Sequence, residues 1–193
     1  MKFRDSGMPD EDYWESLFNA EAILNRFGFG VATGDVAELG CGYGTFTIPL
    51  AKRIRGVVHA IDIDAAMVER TQQRAAAEKL ANVQAVQRDV SHDGFGLPDD
   101  TCEACLLFNI LHGEGPKEIL RAARNVVRRG GSIAVIHWRA DLTTPRGPSG
   151  AIRPKPGQIL AWAASVGGLA PPAGEPPVFL LPPWHYGLKL LKL

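Results

Sequence analysis

Cysteine is scarce in this sequence, and its three cysteines are scattered along the chain. Three thiols cannot form a framework of paired disulfides, so the sequence predicts a reducing compartment, and we expect the cytoplasm. Cys102 and Cys105 form a C-x-x-C, which offers two ligands where zinc needs at least three from the protein. No second pair follows it, so we expect no metal site.

Charge of one sign is not in excess either, since Lys plus Arg and Asp plus Glu both number 21. No overall field attracts nucleic acid or acidic lipid, and we expect no nucleic-acid partner. No apolar run approaches the roughly 20 residues that a membrane-spanning helix needs, and no apolar segment follows the charged residues 1–5. We therefore expect neither a membrane association nor a secretory signal. The sequence leaves the oligomeric state open.

Short apolar strands alternate with amphipathic helices along most of the chain. This order predicts a parallel sheet covered on both faces, and right-handed crossovers favour a three-layer, doubly wound sandwich. We predict one α/β domain over residues 1–193, with a seven-stranded, mostly parallel sheet and an antiparallel C-terminal edge strand. The predicted helices are 10–27, 45–53, 65–79, 116–128 (with Gly130-Gly131 as its stop) and 158–165. The predicted strands are 35–39, 57–61, 83–86, 104–108, 132–137, 178–181 and 184–193.

A glycine-rich turn between the first predicted strand and the next helix carries the strongest functional signal. Its glycines, Gly40, Gly42 and Gly44, recur at every second position and follow the acid Glu38. Glycines here permit a tight turn and a close approach of ligand atoms to the backbone. A dinucleotide fingerprint would require a small glycine where Thr45 stands. An acid beside the loop suits the ammonium group of S-adenosylmethionine and does not suit a pyrophosphate.

A second acid lies at the tip of the second predicted strand, about 20 residues after the loop. At that place Asp62 can accept hydrogen bonds from both hydroxyls of a ribose. The alternative role is to cap the helix that follows, but Asp64 is better placed for that. The sequence therefore favours Asp62 as a ribose ligand.

These segments resemble the motifs of class I S-adenosylmethionine-dependent methyltransferases. Residues 38–51 are similar to the first motif of that family, and His59-Ala60-Ile61-Asp62 is similar to the second. Arg88-Asp89-Val90 resembles the third motif, and residues 106–112 resemble the fourth, both more weakly. The resemblance covers residues 36–138 and is greatest to the small-molecule branch that includes quinone-biosynthesis methyltransferases.

The resemblance implies S-adenosylmethionine as the cofactor and a small molecule as the methyl acceptor. In the family the acid of the third motif holds the adenine amino group, and the tip of the fourth strand lies nearest the methyl group. The implied cofactor-binding residues are Glu38, Gly40, Cys41, Gly42, Asp62, Ile63, Asp89, Val90, Asn109 and Ile110.

Methyl transfer from a sulfonium needs mainly alignment in a dry site, and a base only if the acceptor carries a proton. His112 is the best candidate for such a base, although a backbone-bonded loop histidine would look the same. Tyr13, Trp14 and His137 are candidates for the acceptor site, and a role in the core is the alternative for each. We expect a lid helix within residues 1–30 and a Pro/Gly-rich loop at 141–157 to close the site.

Two other classes of protein remain open from the sequence. One is a non-catalytic protein that keeps the fold and binds the cofactor, because the binding acids say nothing about turnover. The other is a nicotinamide-dependent oxidoreductase, which Thr45 and the acid before the glycines disfavour. Methylation of RNA or protein is disfavoured by the neutral charge and is not excluded.

Overall fold

A computed structural model describes residues 8–193, in which backbone contacts define two compact units, 8–96 and 97–193. The first seven residues of the predicted lid segment lie outside the described residues. The first unit alternates helices and strands, as predicted. Its elements are α1 (Glu11–Ser16), α2 (Ala20–Phe27), β1 (Val36–Leu39), α3 (Thr47–Arg53), β2 (Val58–Asp62), α4 (Ala65–Ala77), β3 (Val83–Gln87) and the short α5 (Val90–Asp93).

The predicted N-terminal helix is two helices, so the prediction of one helix over 10–27 is wrong. Asp10 caps α1, and Asn19 starts α2 by accepting a hydrogen bond from the backbone of Ala22. Asparagine competes with the helix for backbone donors and favours such a start. Gly28, in the left-handed conformation at φ +86°, ends α2.

The three strands of the first unit are parallel and lie in the order β3-β2-β1. The carboxyl ends of β1 and β2 lie side by side, with Leu39 opposite Ile61. Each strand end leads into a loop at this edge, so the glycine turn after β1 and Asp62 at the end of β2 become neighbours. The topology alone therefore brings the two strongest sequence signals together.

The second unit contains the remaining strands and two long helices. Its strand order is β4-β5-β8-β6, in which β4 and β5 are parallel and β8 is antiparallel to β5. Both β6 and β7 pair with β8 in antiparallel fashion. Its elements are β4 (Cys102–Phe108), α6 (Pro116–Val126), β5 (Val127–Trp138), a 3-10 turn (Gly150–Ile152), α7 (Pro156–Val166), β6 (Leu169–Ala170), β7 (Val178–Leu181) and β8 (His185–Lys192).

The predicted stop of α6 at Gly130-Gly131 is wrong. The helix ends at Val126, and the two glycines lie inside β5, where Gly130 has a φ of +72°. Val127 already pairs with Cys102, and two consecutive β-branched residues favour a strand over a last helical turn. A Cβ at Gly131 would lie 2.5 Å from the carbonyl oxygen of Glu103, so this glycine permits close contact between β4 and β5.

The predicted fold class is confirmed. The fold is a Rossmann-like α/β arrangement of mostly parallel strands with an antiparallel edge at the C-terminus. Residues 8–193 contain eight strands where seven were predicted, because the two-residue β6 was not foreseen.

Candidate cofactor site

The glycine loop of the first unit folds back on β2. The backbone N–H groups of Gly40 and Cys41 both donate to the carbonyl of Ile61, at 2.7 and 3.2 Å. Gly40, Gly42 and Gly44 have φ values of +78°, +54° and +79°, which lie in the left-handed region that side chains disfavour. The alternation of glycine along the loop is therefore a requirement of its backbone.

Asp62 ties this loop to the end of β2. Its Oδ2 accepts from the N–H of Gly42 at 2.9 Å, and its Oδ1 accepts from the N–H of Asp64 at 3.0 Å. The side chain is only 5% exposed, and this burial raises the pKa of its carboxyl. As the sequence predicts, the cap of α4 is Asp64, which accepts from Ala66. Each carboxylate oxygen has a second lone pair, so Asp62 can still accept from a ligand hydroxyl.

Two side chains of α4 secure the outer carbonyls of the loop, and sequence reasoning missed both. Thr71 donates to the carbonyl of Gly42 at 2.9 Å, and Arg74 donates to that of Tyr43 at 2.9 Å. They lie three residues apart on one face of the helix, where neighbours meet. That spacing is the only signal in the sequence, and it is shared by many helices.

Glu38 is a carboxyl group in the interior, 2% exposed at the end of β1. Thr47 donates to its Oε2 at 2.6 Å. Burial, reinforced by the nearby charge of Asp62, raises the pKa of Glu38 to about 8 despite that hydrogen bond. The same burial, with Glu38 and Asp62 close by, raises the pKa of the Cys41 thiol, which therefore stays protonated. A cation beside these carboxyls would relieve their repulsion.

These residues fit S-adenosylmethionine better than a dinucleotide. The ionised forms of both acids oppose the charge of a pyrophosphate, whereas an ammonium group and a sulfonium stabilise those forms. The loop is also closely covered, because a Cβ at Gly42 would lie 3.2 Å from the Cε of Met8. The contacts of Glu38 with an ammonium group and of Asp62 with ribose hydroxyls remain predictions.

The N-terminal helix is attached over this loop by charged pairs. Tyr43 donates its hydroxyl to the carbonyl of Pro9 at 2.7 Å. Arg70 binds Glu11 with two hydrogen bonds, at 2.7 and 3.0 Å. Arg74 also binds Glu11 and Glu15, so that one guanidinium joins α1, α4 and the glycine loop.

The two aromatic acceptor candidates on α1 differ in exposure. Tyr13 is 41% exposed, whereas Trp14 is half-buried and packs on Phe18 with ring centroids 4.9 Å apart. Phe18 in turn contacts Phe46 at 5.3 Å. Trp14 is therefore partly a core residue, and the acceptor roles of both remain predictions.

The third predicted acid is at the surface of the first unit. Asp89 caps α5 by accepting from the N–H and the hydroxyl of Ser91, and this bonding lowers the pKa of its carboxyl. The neighbouring Val90 is buried, and Ile63 is half-buried at the end of β2. The structure accounts for Asp89 as a cap, and its contact with adenine remains a prediction.

The second unit brings the remaining candidates together at the ends of β4 and β5. The N–H of Asn109 donates to the carbonyl of Ile136 at 2.8 Å, and the rings of His112 and His137 lie 5.3 Å apart, edge to face. Ile110 follows, half-buried. Burial lowers the pKa of His112, which a hydrogen bond with the Asn109 backbone only partly offsets. Burial also lowers the pKa of His137, to about 3, so both imidazoles are neutral near pH 7.

The Pro/Gly-rich loop after β5 is organised by Arg153. Its guanidinium donates to the carbonyls of Pro148 and Arg139, both at 2.8 Å, and to the hydroxyl of Thr144 at 2.6 Å. A Cβ at Gly147 would lie 2.8 Å from the indole of Trp138, so the loop backbone packs directly on that ring. The predicted loop is thus an ordered structure, and its role in closing a site remains a prediction.

Neither a metal centre nor a membrane segment is found in the part of the chain that the structure describes. Within residues 8–193 no three His, Cys, Asp or Glu side chains are grouped so as to hold a metal ion. Over the same residues, no helix is both long enough and apolar enough to cross a bilayer.

Comparison with known families gives a match over the region of these motifs. Residues 36–131 match a family model described as a methyltransferase domain. The segment begins with β1 and ends within β5, so it contains the glycine loop, Asp62, Asp89 and Asn109. This part of the chain is therefore similar to a methyltransferase domain, which supports the predicted class, an S-adenosylmethionine-dependent methyltransferase.

Sequence relatives share only parts of their length with this chain. A malonyl-[acyl-carrier protein] O-methyltransferase from Paenibacillus sp. is 30% identical over 121 residues, which are 59% of this chain and 42% of that protein. A 23S rRNA (uracil-C5)-methyltransferase from Stenotrophomonas maltophilia is 41% identical over 63 residues, or 33% of this chain and 14% of that protein. The chain spans less than half the length of these curated relatives.

Solved structures share the fold over nearly the whole chain. A SAM-dependent methyltransferase from Aquifex aeolicus has a TM-score of 0.81 at 21% identity, covering 95% of this chain and 94% of that one. A geranyl diphosphate C-methyltransferase from Streptomyces coelicolor has a TM-score of 0.72 at 12% identity, covering 97% and 87%. At these identities the likeness is one of fold.

Proposed function

We propose that this protein transfers a methyl group from S-adenosylmethionine to a small-molecule acceptor. The observation that carries the proposal is the pair of buried carboxyls, Glu38 and Asp62, on either side of a left-handed glycine loop. A cationic, ribose-containing ligand satisfies both. We propose further that both units belong to one methyltransferase domain, and that the protein acts in the cytoplasm.

Each proposed cofactor contact follows from the chemistry of one side chain. When bound, S-adenosylmethionine supplies a methyl group that its sulfonium has already activated. Glu38 accepts from the ammonium group, and Asp62 accepts from the ribose while it holds the N–H of Gly42. Asp89 accepts from the adenine amino group. The contacts of Asn109 and Ile110 with the cofactor stay a prediction.

His112 is the proposed base for an acceptor that carries a proton. Its imidazole is neutral near pH 7 because burial lowers its pKa, so a ring nitrogen can take that proton. We expect His112→Ala to leave the affinity for S-adenosylhomocysteine unchanged and to lower turnover by about a hundredfold. Steady-state kinetics with an acceptor found by screening would measure this, and an unchanged turnover would remove His112 from the mechanism.

Calorimetry with S-adenosylhomocysteine, and with NAD as the competing ligand, tests the cofactor. With a pKa of about 8, Glu38 is about nine-tenths protonated at pH 7, and a bound ammonium group favours its ionised form. We therefore expect S-adenosylhomocysteine to bind with release of close to one proton, which appears as a dependence of the enthalpy on the buffer. The release shrinks as the pH rises through 8, where the carboxyl is already ionised.

Glu38→Gln is the matched variant for this experiment, because it keeps the shape of the side chain and cannot release a proton. Binding of NAD without S-adenosylhomocysteine would reject the proposed cofactor. Binding without proton release would reject the role of Glu38 alone. A methyl-transfer screen with small molecules, a charged acyl carrier protein and RNA then identifies the acceptor, and transfer to RNA only would reject the small-molecule proposal.

A further inference from the structure

Three buried polar atoms at the ends of β4 and β5 lack a hydrogen-bond partner within residues 8–193. They are both amide atoms of Asn109 and the Nε2 of His137. An unsatisfied buried polar group costs about 1–3 kcal/mol. Asn109 adds backbone strain, because its φ of +59° is in the left-handed region. Three unsatisfied polar atoms this close together point to a ligand that forms the missing hydrogen bonds.

The two residues are held next to each other by the sheet. The N–H of Asn109 binds the carbonyl of Ile136, and His137 is the next residue of β5. His137 is fully buried, and its ring stacks on Tyr186, its partner on β8, with centroids 6.4 Å apart. The hydroxyl of Tyr186 donates to the carbonyl of Pro154, at 2.6 Å. The Nε2 atom therefore faces no competing donor from that side.

The unpartnered nitrogen of His137 is a hydrogen-bond acceptor. The other ring nitrogen, Nδ1, lies 3.4 Å from the carbonyl of Trp138 and so carries the proton. Burial lowers the pKa of His137 to about 3, and the positive charge of Arg153 acts in the same direction, so the imidazole stays neutral. A ligand must therefore bring an O–H or N–H group to Nε2.

The charge of that ligand follows by elimination. An ionised carboxylate has no proton to donate and would face the lone pair of Nε2. A cation would be opposed by the positive charge of Arg153, which already acts on this imidazole. An uncharged hydroxyl gives each residue one hydrogen bond, because it donates to Nε2 of His137 and accepts from the Nδ2 group of Asn109.

We propose that Asn109 and His137 form a binding site for a hydroxyl group of an uncharged methyl acceptor. The proposal rests on the proposed function and adds to it the chemical class of the acceptor. It assigns Asn109 to the acceptor, where the family resemblance implied the cofactor. It also gives His137 a role in specificity, because the unpartnered Nε2 atom favours acceptors that can donate a hydrogen bond to it.

The test uses the full chain with 15N-labelled histidine, without and with S-adenosylhomocysteine, and three probes of similar size. The probes are phenol, benzoate and benzylammonium, and the readout is the 15N resonance of His137 Nε2, assigned through its loss in His137→Gln. We expect phenol to shift this resonance in a saturable way, and the two charged probes to leave it in place. If phenol does not move this resonance, the proposal is overturned, because a trapped water rather than an acceptor then satisfies Nε2. Stronger binding of either charged probe than of phenol overturns it as well.

Asn109→Gly provides a variant that should fold. Glycine relieves the strain at φ +59° and removes two unsatisfied buried atoms, so we expect its Tm not to fall. Its affinity for phenol should fall about fivefold or more, while Asn125→Ala, which removes a half-buried amide bonded to Arg124, should leave it unchanged. Equal phenol affinity in the Asn109 variant and the natural chain would overturn the proposal. Binding of S-adenosylhomocysteine is recorded in every sample, so a failure of the proposed function is seen separately.

Discussion

Replacing Asp62 with alanine is expected to weaken cofactor binding strongly and to destabilise the glycine loop. The substitution leaves the N–H groups of Gly42 and Asp64 without their acceptor. Orphaned donors of this kind cost about 1–3 kcal/mol each, so we expect the free energy of unfolding to fall by at least about 2 kcal/mol. The proposed ribose contacts go as well, and the Kd of S-adenosylhomocysteine should rise by at least about a hundredfold.

Asp64→Ala is the matched control, two residues along the chain. It removes one hydrogen bond, to the N–H of Ala66 at the start of α4, and a lost cap costs about 1 kcal/mol. Urea denaturation measures the stability of both variants, and calorimetry measures their affinity. We expect the control to bind the cofactor analogue as the natural chain does. If the two variants bind equally well, Asp62 does not contact the ribose.

The second large effect is expected at Arg153. Its guanidinium joins oxygens from four residues of the loop, namely Arg139, Thr144, Arg146 and Pro148. Arg153→Lys keeps the charge but replaces the planar fork by one ammonium group, which cannot reach all of these acceptors. We expect the loop to open at least tenfold more often, which corresponds to about 1.4 kcal/mol of local stability.

Limited trypsin digestion followed by mass spectrometry measures this opening through cleavage after Arg146. The substituted position itself precedes Pro154, so the new lysine adds no efficient cleavage site there. Arg139→Gln is the control, since it breaks a pair with Asp141 on the exposed side of the same loop. Exposed pairs contribute about 0–1 kcal/mol, and we expect little change in cleavage. Equal cleavage of both variants would mean that Arg153 does not hold the loop.

The sequence predicted the parts of the structure that local chemistry decides. The glycines at every second position required left-handed backbone, and Asp64 capped α4 as expected. The strands were found because buried parallel strands are nearly continuous apolar runs. Their parallel order then placed the glycine loop beside Asp62 without any further information.

The sequence did not predict contacts that depend on tertiary packing. Gly130-Gly131 suggested the end of a helix, but pairing of Val127 with β4 extends β5 through them. Thr71 and Arg74 gave no sign that they bind loop carbonyls, because any amphipathic helix carries such residues. The unsatisfied atoms of Asn109 and His137 are visible only once every possible donor and acceptor has a position.

The attachment of α1 makes closure over the glycine loop sensitive to ionic strength. Arg70 and Arg74 hold Glu11 and Glu15 by pairs that remain partly exposed to solvent. Screening shortens the reach of such charges from about 10 Å in 0.1 M salt to about 3 Å in 1 M salt. The bonds of Asp62 and Thr71 to the loop are buried and are screened much less. Rising salt therefore weakens the attachment of α1 first, while the glycine loop keeps its conformation.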